Sequence, residues 1–174
     1  MAKGKFISFQ DSDDIYHFDK IEKQINNLYK SKSDFDFCKV CVYINKTFTI
    51  NYPNIDRIKE INKGNLFNTL ISKGNFISTQ SILVKKSYIE KYLFDTSLQR
   101  LQDYDLVLRI IPNLKVSFTN ESLVDIYRKN DSISVNKGKM KKSIFLLLKK
   151  NYNFTLSQKN EFINYLKKIK KHVE

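Results

Sequence analysis

A short apolar run that stops at a cluster of acidic residues is the feature that most restricts the fold of this chain. Phe6 to Phe9 holds three apolar residues in four positions, and Asp11, Asp13 and Asp14 follow almost at once. The apolar run predicts a short buried strand, and the acidic cluster predicts a polar loop at its end. This order is typical of an α/β protein, in which ligands bind at the carboxyl ends of the strands.

The rest of the chain alternates between helical and extended patterns. Phe18, Ile21, Ile25 and Leu28 recur at helical spacing and predict a helix with this apolar face after the acidic loop. Further on we predict strands at 36–44 and 47–50, a helix at 65–72, an extended segment at 76–84, helices at 86–93 and 102–111, strands at 115–119 and 122–127, a loop at 130–136 and two helices within 139–172. The alternation predicts the α/β class.

The 174-residue chain is strongly basic, with a formal charge of +13, and the excess lies toward its C-terminal end. Residues 137–174 hold eleven lysines against Glu161 and Glu174, a net charge of +9, which leaves +4 for residues 1–136. Arginine, the usual cation for reading base edges, occurs only four times. We therefore expect no specific nucleic-acid partner. A generic polyanion and an anionic membrane surface remain equal alternatives for the basic region.

Hydropathy and cysteine usage both indicate a cytoplasmic protein. No apolar run approaches the ~18 residues that a membrane span needs. Cys38 and Cys41 lie three positions apart on a predicted strand, so they face opposite sides of it, and no second pair completes a zinc site. We predict two reduced thiols, in a protein that is cytoplasmic or peripheral on the inner face of a bacterial membrane.

Two pairs of carboxylates are candidates for chemistry. Asp11 and Asp13, spaced D-x-D on the predicted loop, can present oxygen ligands to a divalent cation whose other positions are filled by phosphate and water. Taken alone, an ordinary polar turn explains this loop better. Asp103 and Asp105 lie two positions apart on a predicted helix and point away from each other, so they cannot act as one pair. Taken alone, helix capping explains them better than catalysis.

Taken together and in order, four segments resemble the family 2 glycosyltransferases of the GT-A fold. Ala2 to Ile25 is similar to the family's A-x-G-x-Y-I-x-F-L-D-S-D-D segment and the P-x-K-L-E helix after it. Gly74 to Lys86 resembles the acceptor-side stretch, and Phe94 to Arg109 resembles the helix that begins F-D-E-x-L. Tyr127 to Ser134 resembles the Y-R-x-H-x-x-S-I-S segment. The ordered combination is far more specific than any one motif.

The resemblance implies a truncated GT-A domain, a Rossmann-like mixed sheet flanked by helices, over residues 1–136. Residues 137–174 would then be a lysine-rich helical C-terminal extension. The family's N-terminal part, with the first strand and the acids that hold the nucleotide base, has no counterpart here, so we expect a C-terminal piece of a longer enzyme. Phe6 to Phe9 would then form an exposed sheet edge that favours self-association, and nucleotide-sugar binding would be weak.

The implied activity is an inverting transfer of a sugar from a nucleotide-diphosphate sugar to a hydroxyl of a glycan or lipid-linked acceptor, in cell-surface polysaccharide biosynthesis. By resemblance, Asp13 would ligate Mn²⁺ or Mg²⁺ on the donor diphosphate, and Asp11 would contact the donor ribose or assist the metal. Asp103 would be the general base that takes the proton of the acceptor hydroxyl. The alternatives are a noncatalytic remnant and a lysine-rich module that binds a polyanion, either nucleic acid or a membrane surface.

The resemblance also assigns supporting roles. Asp105 and Arg109 would stabilise the helix that carries Asp103, and Asn130 stands where relatives often have a histidine, which weakens that loop as a metal ligand. Four further residues would lie on the acceptor side or support the site: Gln102, Arg100, Thr79 and Arg128.

Overall fold

The computed structural model describes residues 3–45, 47–128 and 137–173. The strands in these ranges are β1 (Phe6–Ser8), β2 (Ile15–Tyr16), β3 (Phe35–Ile44), β4 (Thr47–Tyr52), β5 (Ile82–Lys85) and β6 (Val116–Arg128). The helices are α1 (Lys20–Ser31), α2 (Ile55–Asn62), α3 (Leu66–Lys73), α4 (Lys86–Ile89), α5 (Gln102–Ile110), α6 (Lys137–Lys149) and α7 (Leu156–Val173). Short 3₁₀ turns lie at Thr79–Ser81 and Ile111–Asn113.

The described strands form one mixed sheet built around a central parallel pair. β3 and β6 run parallel from Phe35 opposite Val116 to Ile44 opposite Arg128, with register shifts around Lys39. The sheet order is β1-β5-β3-β6-β2, and β4 pairs with the C-terminal half of β3. Helices flank this sheet, so the predicted mixed α/β class is confirmed. Among the described strands β1 has one neighbour, β5, which leaves its other side as a sheet edge.

The main hydrophobic core lies between the sheet and helices α3, α5, α6 and α7. Strand β3 supplies Phe35 and Phe37, and α5 supplies a nearly continuous buried run from Tyr104 to Ile110. The two predicted C-terminal helices are confirmed as α6 and α7, and they take part in this same core. They contribute the buried side chains Ile144, Leu147, Phe162 and Leu166.

A buried carboxylate joins α5 to the segment that connects α6 and α7. Asp105 is fully buried, and it is bound by Arg109 Nη2 at 2.8 Å, Lys150 Nζ at 2.6 Å and Tyr152 Oη at 2.8 Å. A buried charge is tolerated when it is paired and hydrogen-bonded in this way. Asp105 and Arg109 form an ion pair within α5, the arrangement expected of residues that support this helix.

The buried face of α1 differs from the predicted one. Phe18 lies before the helix and is fully exposed, Ile21 is 40% exposed, and only Leu28 of the expected apolar stripe is buried. The helix instead buries Lys20 and Gln24 against the sheet. The reason is that the sheet presents a polar surface here, because the β3 residue beneath the helix is the buried Asp36.

Other differences concern the lengths of elements. The two strands predicted at 115–119 and 122–127 are one strand, β6, with a register shift against β3 between Thr119 and Ser122. The helix predicted at 86–93 ends at Ile89, and a 3₁₀ turn interrupts the segment predicted as extended at 76–84. Helix α2 and strand β2 were not predicted. The loop predicted at 130–136, with Asn130, lies outside the described residues.

Two simpler expectations concern the thiols and the hydropathy. Both cysteines are free: Cys38 is buried in the sheet, and Cys41 is partly exposed. Among the helices in the described ranges, none combines the length and the apolar character that crossing a bilayer requires.

Gly74 allows α7 to pack closely against the end of α3. Its φ is 82° and its ψ is 179°, a combination that is essentially restricted to glycine. A Cβ atom at this position would stand 1.8 Å from the Tyr165 hydroxyl oxygen. Gly64 also has a positive φ, 79°, but a Cβ there would meet no atom within 4 Å.

We predict that Gly74→Ala costs at least about 2 kcal/mol of unfolding free energy, because backbone strain and the displacement of Tyr165 add. Gly64→Ala is the matched control and should cost about 1 kcal/mol from backbone strain alone. Urea unfolding of both variants measures the difference. Equal losses would contradict the close packing of α7 at Gly74.

Candidate active site

The acidic loop lies where the chain crosses from one side of the sheet to the other. β1 ends at Ser8 on one edge strand, and β2 begins at Ile15 beside β6 on the opposite side. Residues 9–14 bridge this distance at the carboxyl end of β1. Asp14 shows where the loop lands, because its Oδ1 accepts the backbone N–H of Tyr127 at 3.2 Å, near the carboxyl end of β6.

The three carboxylates of this loop have different surroundings. Asp14 is buried, and burial raises the pKa of its carboxyl group, with further increases from the charges of Asp13 and Asp11. Asp11 and Asp13 are exposed. Asp11 is held from a distant part of the chain, since Gln80 Nε2 donates to its Oδ2 at 2.5 Å. Asp14 therefore anchors the loop, while Asp11 and Asp13 present carboxylate oxygens to solvent.

The donor set of this loop suits a hard divalent cation that is shared with a phosphate ligand. In the part of the chain that the structure describes, no three His, Cys, Asp or Glu side chains converge on one point, so no all-protein metal cage is present. Mg²⁺ typically binds through one or two carboxylates, with phosphate oxygens and water at its other positions. Asp11 and Asp13 fit that role.

Asp103 lies in the first turn of α5 and is held in one orientation. Its Oδ2 accepts Asn75 Nδ2 at 2.9 Å, and its Oδ1 accepts the backbone N–H of Tyr104 at 2.8 Å. Asn75 is itself fixed, because its amide bonds both the N–H and the carbonyl of Ile77 at 3.0 Å. Burial raises the pKa of Asp103, and these hydrogen bonds oppose that increase only in part. Leu101, the residue just before α5, has a left-handed backbone conformation with a φ of 63°.

Asp103 borders two cavities whose lining residues differ. The first has a volume of about 440 Å³, and most of its lining residues are polar: Thr79, Asp95, Thr96, Gln102 and Asp103, with Phe94 and Leu98. The second has a volume of about 340 Å³ and is mostly apolar; Val40, Val42, Ile44, Ile50, Tyr52, Phe76, Ile77 and Ile126 line it together with Asn75, Ser78, Arg128 and Asp103. A carboxylate between two cavities can contact a ligand that extends across both.

All four supporting residues lie near Asp103. Thr79 and Gln102 share the first cavity with it, and Arg128 lies in the wall of the second. Arg100 is close enough for its positive charge to favour ionised Asp103, and its backbone N–H donates to Ser143 Oγ of α6 at 3.0 Å. The acidic loop is tied to this group through Gln80, the neighbour of Thr79.

Asn75 and Gln80 were not singled out from the sequence, although both contact predicted site residues. Each is a neutral amide within the Gly74 to Lys86 segment, and its role arises only from contact with a carboxylate far away in the chain. Asn75 and Asp103 are 28 positions apart, and Gln80 and Asp11 are 69 apart. The only available signal was that this segment belongs to the resemblance.

A second feature that the sequence did not reveal is a polar network beneath the acidic loop. Lys20 Nζ, fully buried, donates to Gln24 Oε1 at 2.7 Å and to Ser8 Oγ at 3.2 Å, and it lies 4.1 Å from the centre of the Tyr16 ring. The Tyr16 hydroxyl bonds Ser8 Oγ and the carbonyl oxygen of Phe9. The network thus fixes the end of β1 just before Asp11.

The chain is similar to known glycosyltransferases. The family model described as glycosyl transferase family 2 matches residues 1–93. An uncharacterized glycosyltransferase of Haemophilus influenzae is 26% identical over 177 residues, which cover 95% of this chain and 67% of that protein. An uncharacterized glycosyltransferase of Methanocaldococcus jannaschii is 32% identical over 120 residues, which cover 65% of this chain and 38% of that protein. An uncharacterized glycosyltransferase of Rickettsia felis is 28% identical over 124 residues, which cover 70% of this chain and 21% of that protein.

Solved structures show the same fold. Staphylococcus aureus TarS 1-349 in complex with UDP-GlcNAc superposes with a TM-score of 0.63 over 95% of this chain and 48% of that chain, at 14% identity. The complex of the same fragment with UDP gives a TM-score of 0.60. These are GT-A structures, so the fold expected from the resemblance is confirmed.

The chain belongs to glycosyl transferase family 2, a family of sugar-transferring enzymes with the GT-A fold. It spans only about a fifth to two fifths of the length of the Rickettsia and Methanocaldococcus relatives that it matches, and about half of TarS 1-349. The expected partial coverage of the family is confirmed.

The buried Lys20 leads to a prediction about stability and pH. Burial lowers the pKa of Lys20 from 10.5 to about 8, so between these two pH values the unfolded chain binds more protons at this residue than the folded one. The contribution of Lys20 to the free energy of unfolding therefore rises with pH through this window. Between pH 7.5 and 9.5 we expect the free energy of unfolding of wild type to increase by about 1 to 2 kcal/mol more than that of Lys20→Met.

Urea unfolding at the two pH values measures this gain. The comparison between variants is necessary because the buried Cys38 thiol, whose pKa burial raises to about 12, also contributes to the pH dependence of each protein. Lys30→Met, at an exposed position of the same helix, is the control and should follow wild type. If wild type and Lys20→Met changed in parallel, Lys20 would not be the buried cation described above.

Proposed function

We propose that this chain carries the catalytic and acceptor-side part of an inverting glycosyltransferase that uses a nucleotide-diphosphate sugar. The observation that carries the proposal is the placement of Asp103. It lies on the first turn of α5, is oriented by Asn75, and lines two cavities, one of which it shares with Thr79 and Gln102. Gln80 then connects that cavity to the exposed carboxylates of the acidic loop.

Asp103 is proposed as the general base. One carboxylate oxygen accepts the proton of the acceptor hydroxyl while the hydroxyl oxygen bonds to the anomeric carbon, and the bond to the diphosphate breaks on the opposite face. Single displacement of this kind inverts the configuration. Asn75 positions the carboxylate, and the elevated pKa of Asp103 makes it a stronger proton acceptor than an exposed aspartate.

Asp11 and Asp13 are proposed to hold Mn²⁺ or Mg²⁺ at the donor diphosphate. The cation would offset the negative charge that develops on the departing nucleoside diphosphate. Gln80 keeps Asp11 oriented, and Asp14, bound to the backbone of Tyr127, keeps the loop in place. TarS was solved with UDP and with UDP-GlcNAc, which makes UDP-N-acetylglucosamine the first donor to test.

The acceptor is proposed to be a hydroxyl of a glycan or a lipid-linked glycan, in a cytoplasmic pathway of cell-surface polysaccharide synthesis. The apolar second cavity beside Asp103 supports an acceptor or donor group with an apolar part, such as a methyl or acetyl substituent. We also propose that the open side of β1 associates with another strand, from a second copy or from a longer form of the protein.

We predict that Asp103→Asn lowers the rate of sugar transfer from UDP-N-acetylglucosamine by about 10²- to 10⁴-fold, because an amide cannot accept the acceptor proton. In wild type the rate should rise with pH through the raised pKa of Asp103 and then level off. Asp56→Asn, which changes an exposed acid on α2, should have no effect. Transfer that survives Asp103→Asn unchanged would refute the assignment. A wild-type chain without any transfer would favour the noncatalytic alternative.

A second prediction separates the metal from the chemistry. Mn²⁺ is paramagnetic and broadens nuclear resonances close to it, so adding Mn²⁺ with UDP should selectively broaden the amide signals of residues 11–14. We expect Asp13→Asn to weaken this effect at least tenfold and Asp103→Asn to leave it unchanged, because only the former removes a proposed ligand. Broadening that is the same in wild type and Asp13→Asn would contradict the proposed metal site.

A further inference from the structure

One face of α6 exposes an apolar pair within a group of lysines. The exposed side chains of this helix, which we call the α6 face, are those of Lys137, Lys141, Lys142, Phe145, Leu148 and Lys149. Phe145 is 55% exposed and Leu148 is 39% exposed. The opposite side of the helix is packed, because Ser143, Ile144 and Leu147 are buried in the core. The exposure of Phe145 is therefore a property of this face rather than of a loose helix.

The helix geometry surrounds Phe145 with positive charge. Residues three and four positions away are neighbours on a helix, and for Phe145 these are Lys141, Lys142, Leu148 and Lys149. Lys149 Nζ lies 4.2 Å from the centre of the Phe145 ring. The sequence from 137 to 149 contains five lysines and no Asp or Glu. The face thus combines an apolar centre with a uniformly cationic rim.

This combination distinguishes α6 from the other lysine-rich helix. In α7 the core-facing Phe162 and Leu166 are buried, and of its described large apolar side chains only Leu156, at the first position, is exposed. Helix α7 therefore supplies positive charge without an exposed apolar centre. A ligand that binds only through charge would suit either helix equally, whereas the apolar pair requires a partner with an anionic surface and an apolar layer beneath it.

We propose that the α6 face docks on an anionic phospholipid bilayer, with Phe145 and Leu148 in the boundary between the headgroups and the acyl chains. The lysines around them contact lipid phosphates. Aromatic and leucine side chains on one side of a cationic helix are the pattern of a helix that lies in the membrane interface. Each lysine near an anionic surface contributes about 1 kcal/mol to such binding, so charge and apolar contact act together.

Binding to vesicles tests the proposal with the complete chain. Co-sedimentation should show binding to vesicles of phosphatidylcholine with about one third phosphatidylglycerol and little binding to phosphatidylcholine alone. Phe145→Glu should lower the partition coefficient at least about tenfold. Phe18→Glu is the matched control, since Phe18 is fully exposed, lies before α1 and undergoes the same change. It should bind like wild type.

The lysines are tested in the same assay. Lys141→Glu with Lys142→Glu should lower the partition coefficient at least about tenfold, because two attractive charges become repulsive. Lys30→Glu with Lys91→Glu changes the net charge of the protein equally at exposed positions elsewhere. This control pair should retain most of the binding. Equal losses in the two pairs would replace docking by the α6 face with nonspecific attraction of the whole basic protein.

Insertion of Phe145 is measured separately. The chain contains no tryptophan, so Phe145→Trp and Phe18→Trp each introduce a single fluorophore. The emission of Phe145→Trp should move to shorter wavelength when anionic vesicles are added, whereas that of Phe18→Trp should not. Absence of a shift at position 145, or equal binding of Phe145→Glu and Phe18→Glu, overturns the proposal. Retention on DNA without vesicle binding would assign the face to nucleic acid instead.

Discussion

The buried carboxylate of Asp36 is the interaction on which the position of the acidic loop depends. It lies on β3 under α1 and accepts hydrogen bonds from Gln24, Asn27, Ser117 and Thr119 at 2.6 to 2.9 Å. Burial raises the pKa of Asp36, which reflects the cost of placing a charge there. Removing any one of these donors leaves a buried carboxylate oxygen with too few hydrogen bonds, which is costly. Directional hydrogen bonds, rather than apolar contacts alone, therefore fix the positions of α1, β3 and β6 relative to one another.

The two sides of the site are stabilised by different physics. On the side of the acidic loop, α1 reaches the sheet through polar contacts, and Lys20 extends them to the end of β1. On the side of Asp103, α5 is buried by apolar contacts, and the ion pairs of the buried Asp105 fix its first turn. Gln80, on the turn between them, is the contact that joins both sides.

Sequence reasoning was successful where one local pattern determined the outcome. The acidic loop after β1, the helix that carries Asp103 and the two C-terminal helices all follow from periodicity and from the resemblance. It was wrong at Phe18 and Ile21, because an apolar stripe predicts the buried face only when the facing surface is apolar, and here the sheet presents Asp36. Helix α2 was missed because it buries no side chain completely.

The contacts within the site were the least predictable part. Asn75 and Gln80 are ordinary amides in sequence, and only the fold places them against Asp103 and Asp11. Strand β6 was predicted as two strands separated by Asn120 and Glu121, whereas in the structure these two residues form an irregularity within one strand that pairs with β3 on both sides of them. Both failures arise from pairings between residues that are distant in the chain, which periodicity does not record.

The crossing of the sheet by residues 9–14 makes the length of that segment a constraint in its own right. Its two ends are fixed independently, by the pairing of Ser8 with Leu83 and of Ile15 with Asp125. A single inserted or deleted residue could not be absorbed without shifting one of these pairings, and a shift of one position in β2 would turn the Tyr16 ring to the opposite face of the sheet. Natural variation in this segment should therefore occur by substitution at constant length, with changes in length confined to loops whose two ends are not both fixed by strand pairing.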